Sequence, residues 1–215
     1  MHALNLTRRL LAAVAALLAY GALAADPQID QLLAAKNIDT QAVRKLGESV
    51  MPQLVDHYLQ TDDLVARAKI ARLFYELGWK SEAAKDAMLQ DAHTQDRDLR
   101  LQVQWALGRV SSDERIVDVL LQTMQSDDNI LFRDKAACAL AYDQIYLTPQ
   151  QRYKLLEGLV RALGDPKTDV RSIATLALRI QTGQTKGFNA TAPESVRQAK
   201  IQEWQVWLAE YKSQL

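Results

Sequence analysis

The sequence predicts an all-α fold of stacked helix pairs, and three observations support this prediction. Four segments align on an arginine, at spacings of 33, 33 and 38 residues, and the four arginines are Arg67, Arg100, Arg133 and Arg171. Apolar side chains follow each arginine at three, six and seven positions. No stretch of useful length alternates as a β-strand does. Self-similarity at this period is typical of helical repeats that bury their apolar faces against one another.

The first element is a predicted secretory signal peptide at residues 1–24. Arg8 and Arg9 precede an uncharged run from Leu10 to Ala25, which contains the small-residue motif Ala22-Leu23-Ala24. We expect cleavage after Ala24, a periplasmic or secreted protein and no integral membrane span after cleavage. An uncleaved amino-terminal anchor is the alternative, although the 16-residue run is shorter than the roughly 18 residues of a spanning helix. The choice between general secretion and twin-arginine export stays open.

After a short lead-in at residues 25–39, residues 40–215 are predicted to form the repeat domain. Its helix pairs are expected at 40–78, 81–110, 113–145 and 149–182, and a closing helix at about 194–212. We call the second helix of each pair an arginine-led helix. The partner helices have their own 3.6-residue periodicity. In the first of them, the predicted buried stripe is Val43, Leu46, Val50, Leu54, Tyr58 and Leu59.

Local signals predict where several helices begin and end. Three Ser or Thr residues precede Glu or Gln at the capping-box spacing: Ser111 with Glu114, Thr148 with Gln151, and Thr191 with Glu194. Gly78 and Gly164 follow predicted helix ends, where a left-handed residue is favoured.

Asp or Asn recurs in the turn inside every pair, and paired carboxylates can be catalytic or bind calcium. These turns also stand where a helix exposes unpaired N–H groups. We therefore interpret the acids as caps, and we expect the following arginine to bond to an aspartate in the next unit.

The last pair resembles the HEAT-repeat family in its short, phycobilin-lyase-type form. The resemblance rests on a helix from Leu159, the Asp165-Pro166 turn, Val170-Arg171 and an alanine-rich second helix, and it is that of an exported bacterial member. It covers residues 63–211 well and 27–62 loosely. It departs at Ala66 and at the insertion 143–147, which should lengthen a helix or loop. It implies a right-handed α-solenoid of about four HEAT-like helix pairs with a C-terminal capping helix, acting as a scaffold for protein contacts.

No catalytic, cofactor or metal site is expected. His57 and His93 lie in different units without ligand-like spacing, and the lone Cys138 is interpreted as a buried small hydrophobe rather than a reactive thiol. Without the leader, 24 basic and 26 acidic residues leave a net charge of −2, so no nucleic-acid partner is expected.

The candidate binding surface consists of the positions five, eight and nine after each arginine, which point away from the partner helix. They include Tyr, Trp and Arg, which are enriched at binding hot spots. The predicted partner-binding residues are Arg72, Tyr75, Trp105, Arg109, Tyr142 and Arg179. The alternative is that Trp105, Cys138 and Leu176 only fill gaps between units. We expect a non-catalytic interaction scaffold of the bacterial cell envelope, or alternatively an enzyme or small-ligand carrier with the same groove.

Overall fold

The structure, a computed structural model, describes residues 26–215. The predicted signal peptide and its cleavage point lie outside the described residues. Within 26–215 there are eleven α-helices, one short 3-10 helix at Glu48–Val50 and no β-strand. Contacts run mostly between neighbouring helices. The all-α prediction is confirmed.

The helices match the predicted segments closely. Their bounds are α1 Pro27–Ala34, α2 Thr40–Leu46, α3 Met51–Gln60, α4 Leu64–Leu77, α5 Glu82–Gln90, α6 Arg97–Val110, α7 Glu114–Ser126, α8 Ile130–Tyr142, α9 Pro149–Ala162, α10 Thr168–Thr182 and α11 Glu194–Ser213. The described chain forms two compact units, residues 26–54 and 55–215, whose boundary falls inside α3.

The prediction of one continuous helix from residue 40 to about residue 59 is wrong, because two α-helices and a 3-10 helix cover this segment. Gly47 has a φ of 82°, a conformation that glycine adopts without a steric penalty, and α2 ends there. The chain continues as the 3-10 helix and then as α3. Val43 and Leu54 are buried as predicted, but Leu59 at the far end of α3 is 48% exposed. The predicted apolar stripe is therefore confirmed in part, but its residues lie on α2, the 3-10 helix and α3.

The lead-in also contains a helix, α1. Asp26 caps it, and Pro27 occupies its first turn, where a missing N–H costs nothing. The Asp26 backbone N–H donates to Gln53 Oε1 at 2.8 Å, and Gln53 Nε2 donates to the Asp26 carbonyl at 3.1 Å. Ile29 on α1 is fully buried. These contacts tie the start of the described chain to the first turn of α3.

In the second unit, the arginine-led helices α4, α6, α8 and α10 contact one another in series. The partner helices α7 and α9 contact each other, and α9 contacts the closing helix α11. Each of α5, α7 and α9 also packs on the arginine-led helix that follows it. The predicted core positions are all buried: Ile70, Leu73, Phe74, Val103, Ala106, Leu107, Ala136, Ala139, Leu140, Ala174, Ala177 and Leu178. The helices therefore pack in sequential pairs around the predicted apolar face.

The repeated arginine is the fourth residue of each arginine-led helix. Arg67 reaches back to the carbonyl of Thr61 in its own turn at 2.6 Å, and its guanidinium lies 3.5 Å from Asp91 of the next pair. Arg100 pairs with Asp127 of the next helix pair. The predicted contact between an arginine and an aspartate of the next helix pair is thus confirmed for Arg67 and Arg100.

The last two arginines follow the same pattern with one change. Arg133 Nε lies 3.2 Å from Asp169, and Arg133 Nη1 donates to the Asp127 carbonyl at 2.6 Å. Arg171 donates to the Asp165 carbonyl at 2.8 Å and to the Ala190 carbonyl at 2.7 Å. A backbone carbonyl therefore takes the place of the aspartate after the last pair.

Most helices have a side-chain cap at their amino terminus. Of the three predicted capping boxes, one is confirmed and two are wrong. Thr148 and Gln151 form the predicted box. Asp113, instead of Ser111, caps α7, and the Ser111 hydroxyl donates to Glu82 at 2.7 Å while it accepts from the Asp113 N–H at 3.1 Å. Helix α11 begins after Pro193 without a side-chain cap, so the predicted box of Thr191 with Glu194 is wrong.

The prediction that Asp or Asn of the turns caps the following helix is confirmed in three pairs and wrong in the fourth, where α10 begins after Lys167 without a side-chain cap. Asp63, Asp96 and Asn129 cap α4, α6 and α8, respectively. Gly78 is left-handed, with a φ of 63°, as predicted. Gly164 does not have a positive φ, because Leu163 ends α9 in a right-handed conformation.

The insertion 143–147 lengthens a loop, since α8 ends at Tyr142. The loop packs on the end of α6: the Ile145 N–H donates to the Gly108 carbonyl at 3.2 Å. A Cβ at Gly108 would stand 2.3 Å from Gln144 Nε2 and 2.6 Å from the Asp143 carbonyl oxygen. The Tyr146 hydroxyl donates to the Gly78 carbonyl at the end of α4. Glycine at position 108 therefore allows the loop to lie directly on α6.

Candidate binding site

Three arginine-led helices, α4, α6 and α8, enclose a concavity of about 520 Å³, which we call the central pocket. Its lining residues are Arg72, Tyr75, Glu76, Gln102, Trp105, Cys138, Tyr142 and Asp143. Four of the six predicted partner-binding residues are among them: Arg72, Tyr75, Trp105 and Tyr142. The structure thus brings together side chains that lie 70 residues apart in the sequence (72 to 142).

Helical geometry explains why these positions meet. The residues three, six and seven after each arginine are buried, so those at five, eight and nine point toward the opposite side of the helix. Because α4, α6 and α8 pack in series, their outward faces adjoin. Trp105 is half-buried in the pocket wall, whereas Tyr142 is 63% exposed at its edge. Trp105 therefore packs and also presents surface to the pocket.

An ion-paired cluster holds the inner side of the central pocket. Arg109 Nε donates to the Tyr75 carbonyl at 2.9 Å, and its guanidinium lies 4.6 Å from the Tyr75 ring centre. Arg109 Nη1 is 3.6 Å from Asp143 Oδ1. Arg109, a predicted binding residue, does not line the pocket. It joins the ends of α4, α6 and α8 instead.

Burial dominates the electrostatics of Asp143. Desolvation raises the pKa of this carboxyl above its ordinary value, although Arg109 and Tyr75 favour the charged form. Only 6% of Asp143 is exposed. No sequence pattern predicts this residue as part of a site, because it lies in the insertion 143–147, which departs from the repeat pattern. Its presence there depends on the loop packing over Gly108.

The outer edge of the central pocket carries one exposed ion pair. Arg72 Nε and Glu76 Oε1 are 2.7 Å apart, one helical turn from each other on α4. The Arg72 side chain is 67% exposed. Exposed pairs at this spacing contribute only about 0.3–0.5 kcal/mol. The pair can therefore open at little cost when a ligand approaches.

Beyond Cys138 and Tyr142 the same face continues onto α10, in a region that we call the apolar extension. It begins as a shallow depression lined by Cys138, Tyr142 and mostly aliphatic side chains. It ends in a concavity of about 330 Å³ beside Ile130. Its aliphatic lining residues are Ile130, Leu131, Ile173, Leu176 and Ile180. Leu176 is 42% exposed, so it does not merely fill a gap between units.

Sequence reasoning missed Ile130, Leu131 and Ile173, which lie before or just after the arginine and outside the selected positions. An aliphatic pair in the first turn of α8 could have indicated them, because side chains there have no preceding turn to pack on. Arg179, the last predicted binding residue, is exposed on α10 and lines neither the central pocket nor the apolar extension.

Cys138 sits where the central pocket meets the apolar extension. It is half-buried, which corrects the expectation of full burial. Burial raises the pKa of the thiol, and Asp134 adds to this effect while Lys135 opposes it. A thiol with a raised pKa is a poor nucleophile at neutral pH, since the thiolate is the reactive form. The position therefore favours packing and contact over covalent chemistry.

Among residues 26–215, no three His, Cys, Asp or Glu side chains converge in a way that could hold a metal ion. No helix in the same range is long and apolar enough to cross a bilayer. In comparisons with known proteins, no family model and no curated protein matches this sequence.

Proposed function

We propose that this protein is a non-catalytic adaptor that binds a protein or peptide segment along the central pocket and the apolar extension. One observation carries the proposal: several large apolar or aromatic side chains are exposed on this face. Tyr142 is 63% exposed, Ile130 60% and Leu176 42%. Contiguous exposed apolar surface beside concavities is a common mark of interaction sites.

We propose further that residues 55–215 stack as HEAT-like repeats in a right-handed α-solenoid. The shared register of the four arginines supports this, as does the bonding of three of them to an aspartate one unit later. A repeat array of this kind presents the same face of successive helices side by side. That arrangement suits an extended partner segment that crosses several helices.

The proposed place of action is the periplasm or the extracellular space of a bacterium. The signal-peptide pattern of residues 1–24 supports it. Expression of the full chain in a bacterium, followed by mass spectrometry of the envelope fraction, tests it: we expect a mature chain that begins at Ala25. A full-length chain in the membrane fraction would instead indicate an uncleaved anchor. Replacing Arg8 and Arg9 by lysines separates the export routes, because only the twin-arginine route requires that pair.

The binding proposal is tested by pull-down from native envelope extracts with the wild type and with Trp105→Ala combined with Tyr142→Ala. We expect the double variant to lose the captured protein while its circular dichroism stays helical. Val206→Ala, on an exposed site of α11, is the matched control and should retain the partner. If the double variant captures the same proteins as the wild type, this face is not the binding site.

A small-ligand carrier or enzyme is the second candidate, because about 520 Å³ lies within the range of small-molecule sites. Native mass spectrometry of the purified protein distinguishes the two. A bound small molecule that the Trp105→Ala variant lacks would favour the second candidate over the adaptor.

A further inference from the structure

We infer that the central pocket takes a lysine or arginine side chain of the partner segment, and that the apolar extension takes an aliphatic side chain near it. This inference rests on the proposed function, and it specifies the chemistry of the partner.

Charge is distributed unevenly over the lining residues of the two regions. Four acidic residues line them: Glu76, Asp134, Asp143 and Asp169. Arg72 is the one basic residue in the same lining sets. The cations that pair with the last three acids are Lys135, Arg109 and Arg133, and none of these lines either region. The acidic side chains therefore line this face, whereas the cations that pair with three of them do not.

Aromatic rings supply the second half of a cation site. Tyr75, Trp105 and Tyr142 line the central pocket together with Glu76 and Asp143. The face of an aromatic ring attracts a cation, and Arg109 over the Tyr75 ring shows this contact inside the same cluster. In the part of the chain that the structure describes, Trp105 and Tyr142 have no ring or cation contact of their own. Neither ring is therefore already paired with a cation from residues 26–215.

A ligand cation can displace Arg72 from Glu76. The two residues lie one turn apart on α4, and their side chains are 67% and 33% exposed, respectively. A cation that enters between Trp105 and Glu76 gains the carboxylate while Arg72 returns to solvent. An anionic ligand would gain Arg72 but would face Glu76 and the buried Asp143. The pocket therefore favours cations.

The aliphatic half of the inference follows from continuity. Cys138 and Tyr142 line both the central pocket and the start of the apolar extension. Beyond them, Leu176, Ile173 and Ile130 offer aliphatic surface. A peptide that places a cation in the pocket can therefore place a neighbouring Leu, Ile, Val or Met side chain against the extension.

Phage-displayed random 12-residue peptides, panned on the purified protein expressed from the full chain, test the inference. The Trp105→Ala, Tyr142→Ala variant serves as the counter-selection. We expect enriched peptides with Lys or Arg within about four positions of an aliphatic residue, as extended or helical segments both permit. The best peptide is then synthesised with its arginine replaced by citrulline, or its lysine by acetyl-lysine. We expect this change to weaken binding about tenfold or more.

The Glu76→Lys variant adds a test from the protein side, since it reverses a partly exposed charge of the central pocket. It should weaken the basic peptide by about tenfold or more, whereas Glu203→Lys, an exposed acid on α11, should leave the affinity unchanged. Enrichment of acidic or uncharged peptides that still depend on Trp105 and Tyr142 would overturn this inference and leave the proposed function standing. Enrichment that does not depend on those two residues, or no enrichment, would count against the proposed function itself.

Discussion

Arg133 on α8 bonds to the carboxylate of Asp169 in the next helix pair while it donates to the Asp127 carbonyl in its own turn. One guanidinium therefore satisfies the turn inside a pair and joins that pair to the next. The planar fork of arginine suits this double task, because its several N–H groups point in fixed directions. Arg67, which lies two helix pairs earlier, makes the same two kinds of contact. The repeated arginine is thus the link between successive pairs.

Replacing Arg133 by methionine should lower the free energy of unfolding by about 2–3 kcal/mol, since removing one partner of a buried pair leaves the other without compensation. We place the value below the full range for buried pairs because the Asp169 side chain is 33% exposed. Urea denaturation measures the change. Arg97→Met, on a side chain that is 68% exposed, is the control and should change stability by less than about 0.5 kcal/mol. Equal losses in the two variants would contradict the proposed role of Arg133.

Gln104 should be a site of easy stabilisation. It is 1% exposed on α6, and within residues 26–215 neither its amide nitrogen nor its oxygen has a hydrogen-bond partner. A buried polar group without a partner costs about 1–3 kcal/mol. Gln104→Met keeps the unbranched shape and should raise the free energy of unfolding by about 1 kcal/mol or more in urea titrations. Gln122→Met, at an exposed position, should change little. A destabilised Gln104→Met variant would indicate that the amide is satisfied in solution.

Gly108→Ala should destabilise the protein, although alanine favours a helix by up to about 1 kcal/mol over glycine. The new Cβ would stand 2.6 Å from the Asp143 carbonyl oxygen, so the loop would have to move. We expect a net loss of about 1–3 kcal/mol and weaker binding at the central pocket, because Asp143 would move with the loop.

Gly158→Ala is the matched comparison for that substitution. Its Cβ would meet the Leu121 side chain, with Leu121 Cδ1 at 2.3 Å. A side chain can rotate away more easily than a backbone carbonyl can shift, so the loss should be smaller. Thermal unfolding and peptide binding are measured for both variants. A larger loss of binding in Gly158→Ala would refute the role given to Gly108.

A charged cluster between α5 and α7 should make stability sensitive to acid. Lys85, which is 3% exposed, lies 2.8 Å from Asp113, and Arg115 lies 2.7 Å from the same carboxylate. Hydrogen bonds from Arg115 and then Lys85 hold the pKa of Asp113 well below its ordinary value. Because the folded pKa lies below the unfolded pKa of about 3.9, this contribution is complete above that pH and is lost as the pH falls through the folded pKa.

Asp113→Asn removes that titration but can still cap α7, since asparagine is an equally good cap. We expect the variant to be less stable than the wild type by about 1 kcal/mol at pH 7. The difference should shrink as the pH is lowered below about 3. Urea denaturation at pH 7 and at pH 2.5 measures it. A difference that is the same at both pH values would show that charge on Asp113 does not contribute.

Periodicity in the amino-acid sequence locates the helices between residues 64 and 213 and the face that the arginine-led helices bury, but it misses α1 and the break at Gly47 between α2 and α3. Periodicity is a local property, because residues three and four apart lie on the same side of a helix. The buried positions after Arg67, Arg100, Arg133 and Arg171 could therefore be read directly. The outward positions of Tyr75, Trp105 and Tyr142 followed from the same geometry, and the structure brings Trp105, Tyr75 and Tyr142 around one pocket.

Which distant groups meet depends on how the helices pack against one another. Asp169 is 36 residues from Arg133, and Asp143 joins Arg109 through a loop that no repeat pattern describes. Ser111 has the spacing of a cap, but its hydroxyl donates to Glu82 of another helix and Asp113 caps α7. Such choices depend on competition among groups from several helices, each worth about 1 kcal/mol, and local spacing does not contain that competition.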